Sequence, residues 1–226
     1  MLLELLAAQF DVLCHDQRGL GASEVPAGPY SMSDYAADAV AVADWAGWER
    51  FSVLGISFGG MVALELGTLV PDRIVRLALW CTSPGGAHPS YPLREIEDLE
   101  AEQRLPRYLS ILDRRFNPWW FLGHPRDRAL ASMLRDRPSL ADERHRGAML
   151  QLDARSAHDV SGRLRELACE TTVFAGRFDG IAPPENVEAI AVEIPQADIR
   201  FYDGGHLFFL QDPAAFPDTM SFLRRD

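Results

Sequence analysis

The twenty residues from Phe51 to Val70 carry one formal charge, Glu65. A stretch that apolar either crosses a bilayer or is buried inside a fold. Its centre decides between the two. Gly55-Ile56-Ser57-Phe58-Gly59-Gly60 puts turn-forming residues where a spanning helix would have to be continuous. The segment therefore reads as a strand from Phe51 to Leu54, a tight turn, and a helix from Phe58 to about Leu69, stopped by Pro71. A strand with no polar alternation is buried on both faces, which is the environment of a parallel sheet between two layers of helices.

The rest of the chain repeats this alternation. Strands are predicted at Phe10 to Cys14, Ile74 to Cys81, Thr171 to Ala175 and Ile199 to Tyr202. Helices are predicted from Ser33, as N-cap, to Trp45, from Pro184 to about Glu193, and over most of Leu207 to Leu223. The fold class is α/β, a mainly parallel sheet with helices on both faces. From about Ser83 to Leu167 no strand is predicted, and Pro, Arg and aromatic residues are frequent in amphipathic helical stretches. The expected organisation is a core of residues 1–82 and 168–226 with a helical insertion, residues 83–167, between two strands. At 226 residues the chain is long enough for one such domain.

Composition removes several chemistries. All 22 basic residues are Arg, so Schiff-base, pyridoxal-phosphate and Walker-A chemistry, each of which needs Lys, is excluded. The formal charge of −11 disfavours nucleic acid and anionic membrane surfaces as partners. Cys14, Cys81 and Cys169 are odd in number and far apart, and read as buried small apolar residues rather than a disulfide framework or zinc site. His88, His124, His145 and His158, all in the insertion, lack metal-ligand spacing and read as surface or packing residues. The N-terminus has neither the basic start nor the cleavage site of a signal peptide, and a cytoplasmic location is expected.

The chemistry-bearing residues fall after strands. Gly55-Ile56-Ser57-Phe58-Gly59 fits G-x-S-x-G in the strand–turn–helix context that pattern requires, with Ser57 lifted above the sheet and the Phe58 N–H at a helix N-terminus. Small neighbours are expected because large ones would clash in so sharp a turn. A serine nucleophile needs a base, and the base needs an orienter. His206 follows Gly204-Gly205 after the last strand, and Asp179 follows the strand before it. Asp203 is a competing acid, too near His206 in sequence to orient it well. Such strand ends are where open parallel sheets bind ligands.

Four segments resemble the α/β-hydrolase superfamily: His15 to Ser23, the Ser57 turn, Gly176 to Asp179, and Gly204 to His206. Gly55 to Gly86 is similar to esterase and lactonase-like members, including 3-oxoadipate enol-lactonase relatives. The resemblance implies that the insertion is the family's helical cap, that Asp16 and Arg18 brace their loop, and that Ser57, Asp179 and His206 form a triad. Members usually begin with further strands and a His-Gly loop that supplies a second oxyanion N–H. Here Met1 to Gln9 resembles the helix after that loop. The expectation is an N-terminally truncated fold with a half-built oxyanion hole, weak catalysis and unpaired central strand edges open to self-association.

The expected function is hydrolysis of a small-molecule ester or lactone through an acyl-enzyme, with no cofactor and no metal. Aminopeptidase, C–C hydrolase and perhydrolase activities on the same triad, or a non-catalytic member of the fold, are the alternatives. Tyr91, Tyr108, Trp119, Trp120 and Phe121 are candidates to line an apolar pocket, against a packing role. Arg114 and Arg115 could meet a substrate carboxylate, against a surface role.

Overall fold

The computed structural model describes residues 2–135 and 142–224; Met1, the expected start of a helix, and residues 136–141 of the insertion lie outside the described residues. The first part of the chain forms α1 (Leu2–Ala7), α2 (Met32–Trp45), β1 (Phe51–Ile56), α3 (Phe58–Leu69) and β2 (Ile74–Trp80). Five helices follow: α4 (Arg94–Glu97), α5 (Ala101–Leu112), α6 (Pro118–Gly123), α7 (Pro125–Arg135) and α8 (Asp142–Ser156). The chain then returns to the sheet with β3 (Glu170–Gly176), α9 (Pro184–Glu193), β4 (Asp198–Tyr202), α10 (Phe208–Gln211) and α11 (Ala215–Leu223).

The sheet order is β1-β2-β3-β4 and every pair is parallel. The pleat explains the apolar runs. Leu77 and Leu79 of β2 and Val173 and Ala175 of β3 face Leu64 of α3 and Val187 and Ile190 of α9. Their neighbours Ala78, Trp80 and Phe174 pack on the opposite face with Phe208, Ala215 and Phe222. Each large side chain so buried contributes about 1.5–3 kcal/mol. The one polar atom this second face buries on Trp80 is satisfied, since its Nε1–H donates to Thr219 Oγ1 at 3.0 Å. No helix among the described residues is long and apolar enough to cross a membrane.

Several expectations need correction. Phe10 to Cys14 is not a strand. A strand requires a laddered neighbour, and this segment instead shares with Phe51, Leu54 and Ile56 of β1 the walls of an unfilled cleft of about 490 Å³. Helix α2 starts at Met32 with Ser31, not Ser33, as N-cap: Ser31 Oγ accepts from Asp34 N–H, and the Asp34 carboxylate accepts from Ser31 N–H. Ser33 is free to donate its hydroxyl to Glu65 Oε1 at 2.9 Å. The closing helix is broken between α10 and α11, where Pro213 has no N–H to continue a helix. Of the cysteines only Cys81 is fully buried; Cys169 is partly buried and Cys14 is exposed.

Among the described residues the segment between β2 and β3 carries helices and no strand, as expected. Ile96, Ile111, Leu112 and Phe116 form its own core together with Ile181 from the loop after β3. Leu150 and Ala154 of α8 pack on Tyr30, Tyr35 and Met61. This segment therefore contacts the loops that leave the C-terminal ends of the strands, where Ser57, Asp179 and His206 stand.

Candidate active site

Ser57 sits between β1 and α3 at φ 54°, ψ −113°, a left-handed conformation that non-glycine residues rarely adopt. The surroundings hold it there. Its N–H donates to Trp80 O at 2.8 Å, and its carbonyl accepts from Thr82 Oγ1 at 2.8 Å. A Cβ on Gly55 would lie 2.6 Å from Gly59 O, and one on Gly60 would lie 2.5 Å from Thr82 Cβ. Gly59 differs from the expectation of crowding, because a Cβ there would meet nothing within 4 Å.

Asp179 and His206 come from the loops after β3 and β4. The Asp179 carboxylate is fully buried, and Oδ1 accepts from Ile181 N–H at 2.7 Å and Ala182 N–H at 2.9 Å. Oδ2 lies 2.8 Å from His206 Nδ1, and His206 Nε2 lies 2.8 Å from Ser57 Oγ. A carboxylate can only accept, so Nδ1 carries the proton and Nε2 is left to accept from the serine hydroxyl. The arrangement can deprotonate Ser57 and hold the resulting imidazolium against a buried anion. The Phe58 N–H is the first of α3 and so has no intrahelical partner. Asp203, the competing acid, is 74% exposed in its side chain and pairs with Arg115 at 2.5 Å.

The inserted segment braces both loops. Ile111 O and Leu112 O, at the end of α5, accept from Gly180 N–H at 2.9 Å and His206 N–H at 2.6 Å. Just beyond, buried Asp113 accepts from Arg115 and from Gln211 Nε2, while Gln211 Oε1 accepts from Gly205 N–H. Sequence reading missed this network, because nothing local marks Asp113 as buried.

Cys81, at φ 41° after β2, is the other chemistry-bearing neighbour. Burial and then the Asp179 charge push its thiol well above the ordinary range. One ligand atom each of Cys81, Asp179 and His206 lies within 4.8 Å of the others. The Asp179 and His206 atoms already bond one another and the thiol keeps its proton, so the donor set fits a relay better than a metal.

The remaining candidates divide. Trp119 is 82% exposed and lies on the surface instead of lining a pocket. Trp120 donates to Asp127 Oδ2 at 2.8 Å, stacks on His124 at 3.6 Å and carries the Arg115 guanidinium at 4.6 Å, a packing role. Tyr108 is near enough to Arg155 to act on its charge. Arg114 reaches Arg177 O, and Arg115 is held by Asp113 and Asp203. Asp16 Oδ2 accepts from Ala22 N–H, and Arg18 makes a bidentate pair with Asp38 at 2.6 and 2.7 Å, which braces the loop between them. Arg155 and His158, buried in the inserted segment, each leave one side-chain nitrogen without a partner among the described residues; sequence reading gave Arg155 no role and His158 a surface or packing one.

The sequence pattern of the alpha/beta hydrolase fold family matches residues 2–213. A putative carbamate hydrolase of Caulobacter segnis is 29% identical over 96% of this chain and 82% of its own length. A 3-oxoadipate enol-lactonase 2 of Acinetobacter baylyi is 25% identical over 92% of this chain and 76% of its own. Among solved structures, a thermophilic esterase from Thermogutta terrifontis aligns with a TM-score of 0.79 and 27% identity over 99% of this chain and 83% of that one.

Proposed function

The chain belongs to the α/β-hydrolase family and is a hydrolase of that fold, and on that footing we propose that it is a serine hydrolase cleaving a small ester or lactone through an acyl-enzyme. Carbamate hydrolase, lactonase and esterase are among the names its relatives carry; all three act at a carbonyl, and the last two release an oxygen leaving group. The observation that carries the reading is the pair of 2.8 Å contacts joining Asp179, His206 and a strained Ser57.

In this mechanism His206 Nε2 takes the Ser57 proton as Oγ attacks the substrate carbonyl. Asp179 holds the imidazole in the required tautomer and offsets the imidazolium charge. The Phe58 N–H points a helix N-terminus at the developing oxyanion, a donor whose loss costs about 10² to 10³ in rate in comparable sites. The imidazolium then protonates the leaving oxygen, and water, activated by the same base, releases the acid and regenerates Ser57. Residues 1–82 and 168–226 act as the catalytic core and residues 83–167 as a cap over it. A hydroxyl nucleophile needs neither metal nor cofactor for these steps.

The test is a fluorophosphonate probe followed by peptide mapping. Labelling at Ser57, absent in Ser57→Ala, supports the reading. An active wild type that labels elsewhere, or a Ser57→Ala protein that keeps its ester turnover, overturns it.

A further inference from the structure

Arg155 is 6% exposed, and only one side of its guanidinium is used: Nη1 donates to Tyr91 O at 2.6 Å, while Nη2 has no partner among the described residues. His158, also 6% exposed, bonds the Ser83 backbone and leaves Nε2 without a partner among the described residues. Both line a single cavity of about 170 Å³, with Met61 and Ser83 at its inner wall and the exposed Pro89, Pro92 and Ser156 at its outer one. No acidic side chain lines it.

A buried cation with no ionic partner in its cavity is costly. Burial lowers the Arg155 pKa to about 10, which still leaves the group charged at neutral pH. A cavity walled by a charged guanidinium with free N–H groups is complementary to an anion, and a planar carboxylate matches guanidinium geometry best. The volume corresponds to on the order of five waters, room for a carboxylate and a short methylene stem.

The inner wall of the cavity is tied to the serine along the chain. Met61 is four residues beyond Ser57, one turn or about 6 Å along α3, and its N–H donates to Ser57 O at 3.2 Å. Ser83 follows Thr82, whose hydroxyl holds the Ser57 carbonyl. The Asp179 carboxylate is close enough for its charge to act on Arg155.

We propose that this cavity is a carboxylate subsite, in which Arg155 receives the free carboxylate of a short acidic ester or lactone whose scissile carbonyl is a few bonds away at Ser57. The proposal rests on the serine-hydrolase reading and narrows its substrate class. It makes Arg155 a specificity-determining residue. A site built to pair a charged group discriminates against the neutral analogue, because the analogue leaves Arg155 unpaired.

The experiment compares monomethyl succinate and monomethyl glutarate with their dimethyl esters on the wild-type chain, using p-nitrophenyl acetate as a neutral reference. The expected result is a kcat/KM preference for the monoesters of about tenfold or more. Arg155→Gln brings the ratio near one, and Arg155→Lys, which keeps the charge but not the fork, recovers part of it. Because Arg155 is buried and its loss also bears on folding, titration calorimetry of glutarate against glutaramide on Ser57→Ala protein gives an independent reading, with binding expected for the diacid alone. Turnover of p-nitrophenyl acetate with no preference for the monoesters overturns the subsite and leaves the hydrolase reading intact. Equal binding of glutarate and chloride, with no preference among esters, overturns the substrate assignment in favour of a free inorganic anion. Absence of turnover and of fluorophosphonate labelling defeats the hydrolase reading instead, and the calorimetry still decides whether the cavity takes a carboxylate.

Discussion

Three glycines flank Ser57 and they are not equivalent. Gly55 and Gly60 are held by contact with Gly59 O and with Thr82, whereas Gly59 faces open space within α3. Gly60→Ala should therefore destabilise the fold by about 1–3 kcal/mol, the usual cost of overpacking, and loosen the Thr82 contact that fixes the Ser57 carbonyl. Gly59→Ala should leave stability unchanged or raise it by up to about 1 kcal/mol, since alanine is the better helix former. Thermal melting of both variants checks this, and an equal loss at the two positions would refute it. A second residue-scale prediction concerns acid. Burial holds the His158 pKa below its ordinary value, so the unfolded chain binds this proton more readily than the folded one. Stability then rises with pH across the interval, is complete above the unfolded value near ~6.5, and is lost as pH falls through the lower folded value. His158→Asn should flatten the dependence of Tm on pH below that point, and an unchanged slope would show that His158 does not contribute. At this scale the sequence was legible where chemistry and chain position coincide: Ser57, Asp179 and His206 each follow a strand. Arg155 and His158 were not legible, because their meaning comes from burial against distant residues and no local pattern announces it.

Helix α5 ends where the site begins, and its last carbonyls do what a side chain usually does. Ile111 O and Leu112 O tie the loops of Asp179 and His206 to the inserted segment, and Asp113 locks that end through Arg115 and Gln211. Removing a buried ion-pair partner costs about 3–5 kcal/mol, and somewhat less here because Arg115 keeps Asp203. Asp113→Ala should therefore lower the urea midpoint by the equivalent of roughly 2–4 kcal/mol. It should also lower kcat more than it raises KM, because the displaced groups position His206 and do not touch substrate. A stability loss with kcat unchanged would mean that the brace holds the fold but not the base. Element boundaries were legible in proportion to how decisive their end signals are. Pro184 opens α9 and Pro71 follows α3, and both helices fall where the sequence places them. Helix α2 was expected to be capped by Ser33, and the reciprocal bond with Asp34 places the cap at Ser31 instead.

For the whole molecule, the open question is the far edge of the sheet. β1 is terminal in the order β1-β2-β3-β4, and beyond it lies the cleft walled by Phe10, Val12, Leu13 and Cys14 across from Phe51, Leu54 and Ile56. The sequence reading took Phe10 to Cys14 as a strand because apolar composition signals burial; pairing depends on a neighbour that composition cannot specify. An edge strand presents unpaired N–H and C=O groups at alternate residues, and here they border an apolar slot with exposed Leu3 and Val12 nearby. A second copy can supply an extended segment to that slot and satisfy backbone and apolar surface together. The chain should therefore self-associate as its concentration rises. Light scattering across the micromolar range should show a mean mass that climbs above 25.2 kDa. Val12→Lys should hold the mass down, because a charge in the slot must be desolvated for a strand to enter, while far-UV circular dichroism stays the same. A wild-type chain that remains monomeric throughout, or a Val12→Lys variant that associates just as strongly, would rule out this edge as the contact.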